Sequence, residues 1–103
     1  MPVTYLVKFR VVPEKREEFL ALLHDVLDTM KSEPTYREAI LHRDPDCENT
    51  FMLYETWESH DEVVNVQLHR PYRRQWHEAL PRILAGEREI SVWQKIRVDR
   101  WQA

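Results

Sequence analysis

The stretch from Thr50 to His77, TFMLYETWESHDEVVNVQLHRPYRRQWH, decides how this chain folds. Its opening residues alternate, so Phe51, Leu53, Glu55 and Trp57 share one face of a strand while Met52, Tyr54 and Thr56 share the other. The period then changes. Ser59 and Glu62 have the spacing of a capping box, in which Ser59 accepts from the Glu62 N–H and the Glu62 side chain reaches back to the N–H of Ser59. Helical pieces over 59–70 and 71–85 follow, split at Pro71 and stopped by Gly86. This stretch holds two of the four Trp, two of the four Tyr and three of the five His, so a pocket would find its walls here.

Outward from this stretch, residues 3–11 alternate, with Val3, Tyr5, Val7, Phe9 and Val11 forming an apolar face opposite Thr4, Leu6, Lys8 and Arg10. Pro13 suits a first helical turn, and Glu14, Glu17 and Glu18 complement its dipole. Phe19, Leu23, Val26, Leu27 and Met30 recur at helical spacing until Pro34, with His24 at the solvent margin. Residues 36–44 read as a second strand. The turn residues Asp44-Pro45-Asp46-Cys47-Glu48-Asn49 join it to the strand 50–58 as an antiparallel hairpin, with Asn49 able to take the left-handed region. A last strand spans 88–97 with Ile90, Val92 and Ile96 on one face, and the tail 98–103 either extends it or docks on a partner. The order β-α-β-β-α-β is the ferredoxin-like split βαβ pattern, an α+β sandwich with an antiparallel four-stranded sheet, in one domain over 1–103. Two helices cover one sheet face. The other carries Leu6, Ile40, Met52, Tyr54 and Trp93, too apolar for water, so a homodimer stacked sheet on sheet into an α+β barrel is expected.

Composition narrows the function. With 43% hydrophobic and 32% charged residues the chain reads as an ordinary soluble globule. A net charge of −3 argues against nucleic acid, and the basic residues Arg70, Arg73 and Arg74 read as a solvated helix face. No apolar run approaches membrane-spanning length and no signal peptide is visible, so a cytoplasmic, membrane-free protein is expected. The single cysteine, Cys47, lies between Asp46 and Glu48, whose charge should oppose thiolate formation. One glycine, Gly86, leaves no Gly-rich phosphate cradle.

Candidate chemistry gathers on the helical pieces. On a wheel over 59–70, Val63, Val64, Val66 and Leu68 span an apolar arc with Gln67 in its middle. An inward glutamine must be satisfied, either by neighbouring backbone or by a ligand. Tyr72, Trp76, Ala79, Leu80, Ile83 and Leu84 form the next stripe, with His77 on its border, structural or functional. Pro71 and Pro81 cannot donate to the carbonyls of Gln67 and His77, so the segment should bend off the sheet and leave room for a ligand or water. Glu55 faces a partly buried surface, where it either pairs with Arg43 on the neighbouring strand or takes a raised pKa and acts as a base. Metal-binding spacing is weak, with no HExxH and no cysteine pair.

The segments Glu33-Pro34, LHRDPD at 41–46, LYETWES at 53–59 and QLHRPY at 67–72 resemble the antibiotic biosynthesis monooxygenase domain family over about the whole chain. That resemblance implies small dimeric α+β barrels and oxygen chemistry without flavin or metal: an electron-rich phenol or quinol is deprotonated, reduces O₂ itself and collapses to a peroxide. By the same resemblance Trp57 would wall the pocket, Tyr72, Trp76 and His77 would line it, and Gln67 stands where many members carry histidine. The candidate catalytic residues are therefore His77, Gln67 and Trp57, with Tyr72, Trp76, Phe9, Tyr54, Glu55 and Arg43 contacting a small aromatic substrate and no cofactor or metal required. Heme-degrading relatives offer an alternative in which His77 is the heme ligand, although Lys8 or Phe9 and Gln67 replace their asparagine and tryptophan. A barrel that binds a small molecule without turnover is the third reading.

Overall fold

A computed structural model describes residues 2–102. The expectations for Met1 and Ala103 lie outside the described residues. Strand β1 (Val3–Arg10) leads through a 3₁₀ turn at Pro13–Lys15 into helix α1 (Arg16–Met30). Strands β2 (Tyr36–Asp44) and β3 (Cys47–Trp57) follow, then the short helix α2 (His60–Asn65), 3₁₀ turns at Gln67–His69 and Pro71–Arg73, helix α3 (Arg74–Ile83) and strand β4 (Glu89–Trp93). The sheet is four-stranded in the order β2-β3-β1-β4, with every pairing antiparallel. This is the ferredoxin-like α+β architecture that the alternation and helical spacing imply.

The predicted inner faces hold. Val3, Tyr5, Val7 and Phe9 of β1 and Phe51, Leu53 and Trp57 of β3 are buried beneath Phe19, Leu23, Val26 and Met30 of α1 and Trp76, Ala79, Leu80 and Ile83 of α3. Phe9, Phe19, Phe51 and Trp76 interlock, with ring centroids 5.1–5.7 Å apart in tilted and edge-on contacts. The end of α3 is stitched to β1: Val12 N–H donates to the Ile83 carbonyl at 3.0 Å and Ala85 N–H to the Arg10 carbonyl at 2.7 Å. Those bonds aim residues 84–88 along the mouth of the space between sheet and helices.

Four local expectations are corrected. The hairpin turn is only Pro45-Asp46, with Asp44 opposite Cys47 and the Asp44 carboxylate accepting from the Asp46 N–H at 2.8 Å. No described residue has positive φ, so Asn49 needs no left-handed backbone. Cys47 is exposed, and its thiol is lowered rather than raised, because the Thr50 hydroxyl donates to the sulfur at 3.3 Å and Asn49 backbone adds to this against Asp44. Strand β4 ends at Trp93, so Ile96, 98% exposed, lies beyond it. There the chain crosses the outer sheet face: Lys95 Nζ donates to Glu38 at 2.6 Å and lies 5.5 Å from the Tyr54 ring centroid.

Candidate active site

The helical segment over β3 breaks earlier than Pro71. Helix α2 is capped as expected, with Ser59 Oγ accepting from the Glu62 N–H at 3.3 Å, but it stops at Asn65, and Val66 takes φ −120° and ψ −59°. The carbonyl of Gln67, expected to be free, accepts from the Arg70 N–H at 3.1 Å in a 3₁₀ turn. Glu62 does not reach back to its cap. Its carboxylate instead accepts from the Thr35 hydroxyl and, at 2.8 Å, from Gln67 Nε2.

Because the segment stands off the sheet, a chamber of about 240 Å³ remains between them. Apolar residues make most of its wall, among them Val7, Phe9, Leu53, Val63, Trp76 and Ile90. A few polar groups converge on it: Glu55 from β3, Arg73 from the turn before α3, Arg88 before β4, and the paired Tyr5 and His60. A larger vestibule of about 840 Å³ adjoins it, sharing Leu68, Arg88 and Ile90 and carrying His77, Leu80, Pro81 and Leu84.

Electrostatics in the chamber follow from burial. Desolvation raises the Glu55 carboxyl, while the Trp57 indole N–H, donating to Glu55 Oε1 at 3.0 Å, and the charges of Arg73 and Arg88 oppose the shift. Burial lowers Arg88, Glu55 opposing and Arg73 adding. His77 is held below its ordinary value, first by burial, then by Arg88 and Arg73, so it stays a neutral imidazole at neutral pH. Tyr5 is raised by burial and by Glu55, its cross-strand neighbour, and its hydroxyl pairs with His60 Nδ1 at 2.7 Å. Arg73 is only 6% exposed, with Cζ 5.7 Å from the ring centroids of both Trp57 and Tyr72. Its Nε and Nη2 are buried without a hydrogen-bond partner among the described residues.

The antibiotic biosynthesis monooxygenase pattern matches residues 2–79. The chain belongs to that family. It is 28% identical over 100 residues to GME11364 of Pestalotiopsis microspora, provisionally named a monooxygenase, the match covering 96% of this chain and 83% of that one. Among solved structures, Rv0793 of Mycobacterium tuberculosis superimposes with a TM-score of 0.86 at 18% identity, covering 97% of this chain and 100% of that chain. SnoaB of Streptomyces nogalater, a cofactor-independent oxygenase, superimposes with a TM-score of 0.80 at 20% identity, covering 94% and 95%.

Against this family frame, the structure brings together only part of the expected set. Phe9, Glu55 and Trp76 line the chamber, and His77 lines its vestibule. Trp57 is fully buried beside Tyr36 and meets the chamber through its bond to Glu55 and its ring against Arg73. Tyr72 backs Arg73 from outside the lining. Three placements are corrected. Gln67 is sealed from the chamber, its Nε2 donating to Glu33 at 2.7 Å and Glu62 at 2.8 Å, so neither backbone nor ligand satisfies that amide nitrogen. Tyr54 points to the opposite sheet face, under Lys95. Arg43 stands opposite Phe51, whereas Glu55 stands opposite Ala39, so four residues of strand, about 13 Å, separate the proposed pair.

The cations near Glu55 are Arg73 and Arg88 instead. Reading Arg73 as part of a solvated face failed because the helix phase resets between Val66 and Pro71 and turns it inward. The signal that could have found it is the restart at Pro71 itself. Among the described residues no group of three or more His, Cys, Asp or Glu is arranged to hold a metal. The residues do not fit the heme alternative beyond His77, since Lys8 is exposed and Gln67 is committed to two carboxylates.

Proposed function

We propose that this protein is a cofactor-free monooxygenase that oxidises a small aromatic phenol or quinol with O₂ inside the chamber, working as a homodimer. The observation that carries the reading is one half-open, mostly apolar chamber on which Glu55, Arg73 and Arg88 converge, opening on a vestibule that holds a neutral His77. Two guanidinium groups favour the phenolate over the phenol, and His77 takes the released proton. The electron-rich anion passes one electron to O₂, and the resulting radical pair combines into a carbon-bound peroxide. Loss of water then leaves a carbonyl, with one oxygen atom in the product, the other in water, and all electrons supplied by the substrate. Apolar walls keep bulk water from quenching the anion. A relative named as a monooxygenase and the likeness in fold to a cofactor-independent oxygenase support the same chemistry.

The test is oxygen uptake by chelator-treated protein across a panel of hydroquinones and anthrones, with ¹⁸O₂ to follow the incorporated atom. Uptake with label in the product is expected for some member, and His77→Gln should slow it about 100-fold, the usual contribution of a positioned base. Failure of the whole panel would leave a small-molecule-binding barrel without turnover.

A further inference from the structure

We infer that the polar end of the chamber is an anion-binding subsite built on Arg73, so that its ligand is an aromatic acid presenting an ionised carboxylate or phenolate oxygen. The inference rests on the chamber being a ligand site, as proposed above, and not on oxygen chemistry taking place there.

Arg73 lines the chamber although it is only 6% exposed; its Nε and Nη2 have no partner among the described residues and no accessible surface, so a ligand meets the guanidinium on its remaining side. Leaving a guanidinium short of partners in an apolar setting is costly. Trp57 and Tyr72 lie against the guanidinium and hold it in place. Arg88 also lines the chamber, a second guanidinium partly removed from water. The one carboxylate among the described lining residues is Glu55, which already accepts from Trp57. One carboxylate cannot neutralise two guanidinium groups, so the lining carries a surplus positive charge. An entering oxyanion offsets that surplus, and a guanidinium suits a planar carboxylate or a phenolate. The remaining wall, with Val7, Phe9, Leu53, Trp76 and Ile90, takes an apolar ring body. About 240 Å³ is room for a compact fused-ring ligand.

Calorimetric titration of the intact chain at neutral pH with 2-naphthoate, its neutral isostere 2-naphthamide, and 2-naphthol tests the inference. The carboxylate should bind at least about tenfold more tightly than the amide, as expected when one charge-assisted contact is gained. In Arg73→Met that preference should vanish while naphthamide binds as before. A naphtholate absorbance band on mixing with 2-naphthol identifies phenolate as an accepted oxyanion, and naphthoate binding without that band identifies carboxylate; either supports the subsite. Equal affinity for acid and amide, no binding by any of the three, or a preference that survives Arg73→Met would overturn it. If the Met variant does not fold, the Arg73 Nε–H resonance of the wild type decides: it should shift with naphthoate and stay put with naphthamide, and a resonance indifferent to both would overturn it. Oxygen uptake without anion preference would remove this subsite and leave the oxygenase standing, and the reverse result would do the opposite.

Discussion

Glu55 shows how one side chain can be positioned correctly and partnered differently from expectation. Alternation along β3 puts its carboxylate on the inner face, and burial there favours the protonated form more than Trp57, Arg73 and Arg88 favour the ionised one. A carboxyl raised in the folded state contributes stability that is fully present below its ordinary value of 4.5 and is lost as the pH rises through the folded value. Gln mimics the protonated group and escapes that loss. Glu55→Gln should therefore melt at higher temperature than the wild type at neutral pH, with the difference closing as the pH falls below 4.5. Thermal melts across that range check the sign, and a variant that melts lower at neutral pH would contradict it.

Among the elements, the segment between β3 and α3 matters most, and Gln67 is its anchor. Its amide bridges Glu33 in the α1–β2 loop and Glu62 in α2, while Arg70 Nη2 reaches the same Glu33 oxygen at 3.2 Å. Truncation would take one donor from each of two carboxylates and open a void at a fully buried position. Gln67→Ala should cost roughly 2–4 kcal/mol in urea unfolding, well above the scatter of surface substitutions. A loss below about 0.5 kcal/mol would mean the bridge does not hold the segment. With the anchor gone, the chamber roof loosens, so ligand affinity should fall together with stability.

For the whole molecule, the outer sheet face is what separates a monomer from a pair. Leu6, Tyr54 and Ile40 form one cross-strand row on it, Ile40 is 46% exposed, Trp93 is 57% exposed at the β4 edge, and the chain beyond carries Trp101 at 88%. An apolar surface of this kind favours pairing with a second copy. Light scattering at micromolar concentration should give twice 12.6 kDa, and Ile40→Glu, which places like charges across the paired sheets, should give 12.6 kDa. A monomer mass for the wild type would sink the stacked barrel. Among the described residues no helix is long and apolar enough to cross a membrane.

Local periodicity carried the elements: alternation in β1 and β3, the stripe Phe19, Leu23, Val26 and Met30 in α1, and Trp76, Ala79, Leu80 and Ile83 in α3 were all legible, because side-chain direction repeats with backbone geometry. The inward turn of Gln67 was legible too, but from a wheel that runs past the end of α2 and whose other arc members Val64, Val66 and Leu68 are exposed. What Gln67 touches was not legible, since Glu33 lies far away in the chain and meets it only when α1 and α2 dock. Arg43 and Arg73 exchanged roles beside Glu55 through two tertiary facts: the irregularity between Arg43 and Asp44 shifts the β2–β3 register and puts Arg43 opposite Phe51, and the break after Asn65 reset the helix phase. Spacing thus determined which way each side chain faces inside its own element. Only the docking of elements, with burial and charge balance settled jointly, decided which of them meet in the chamber.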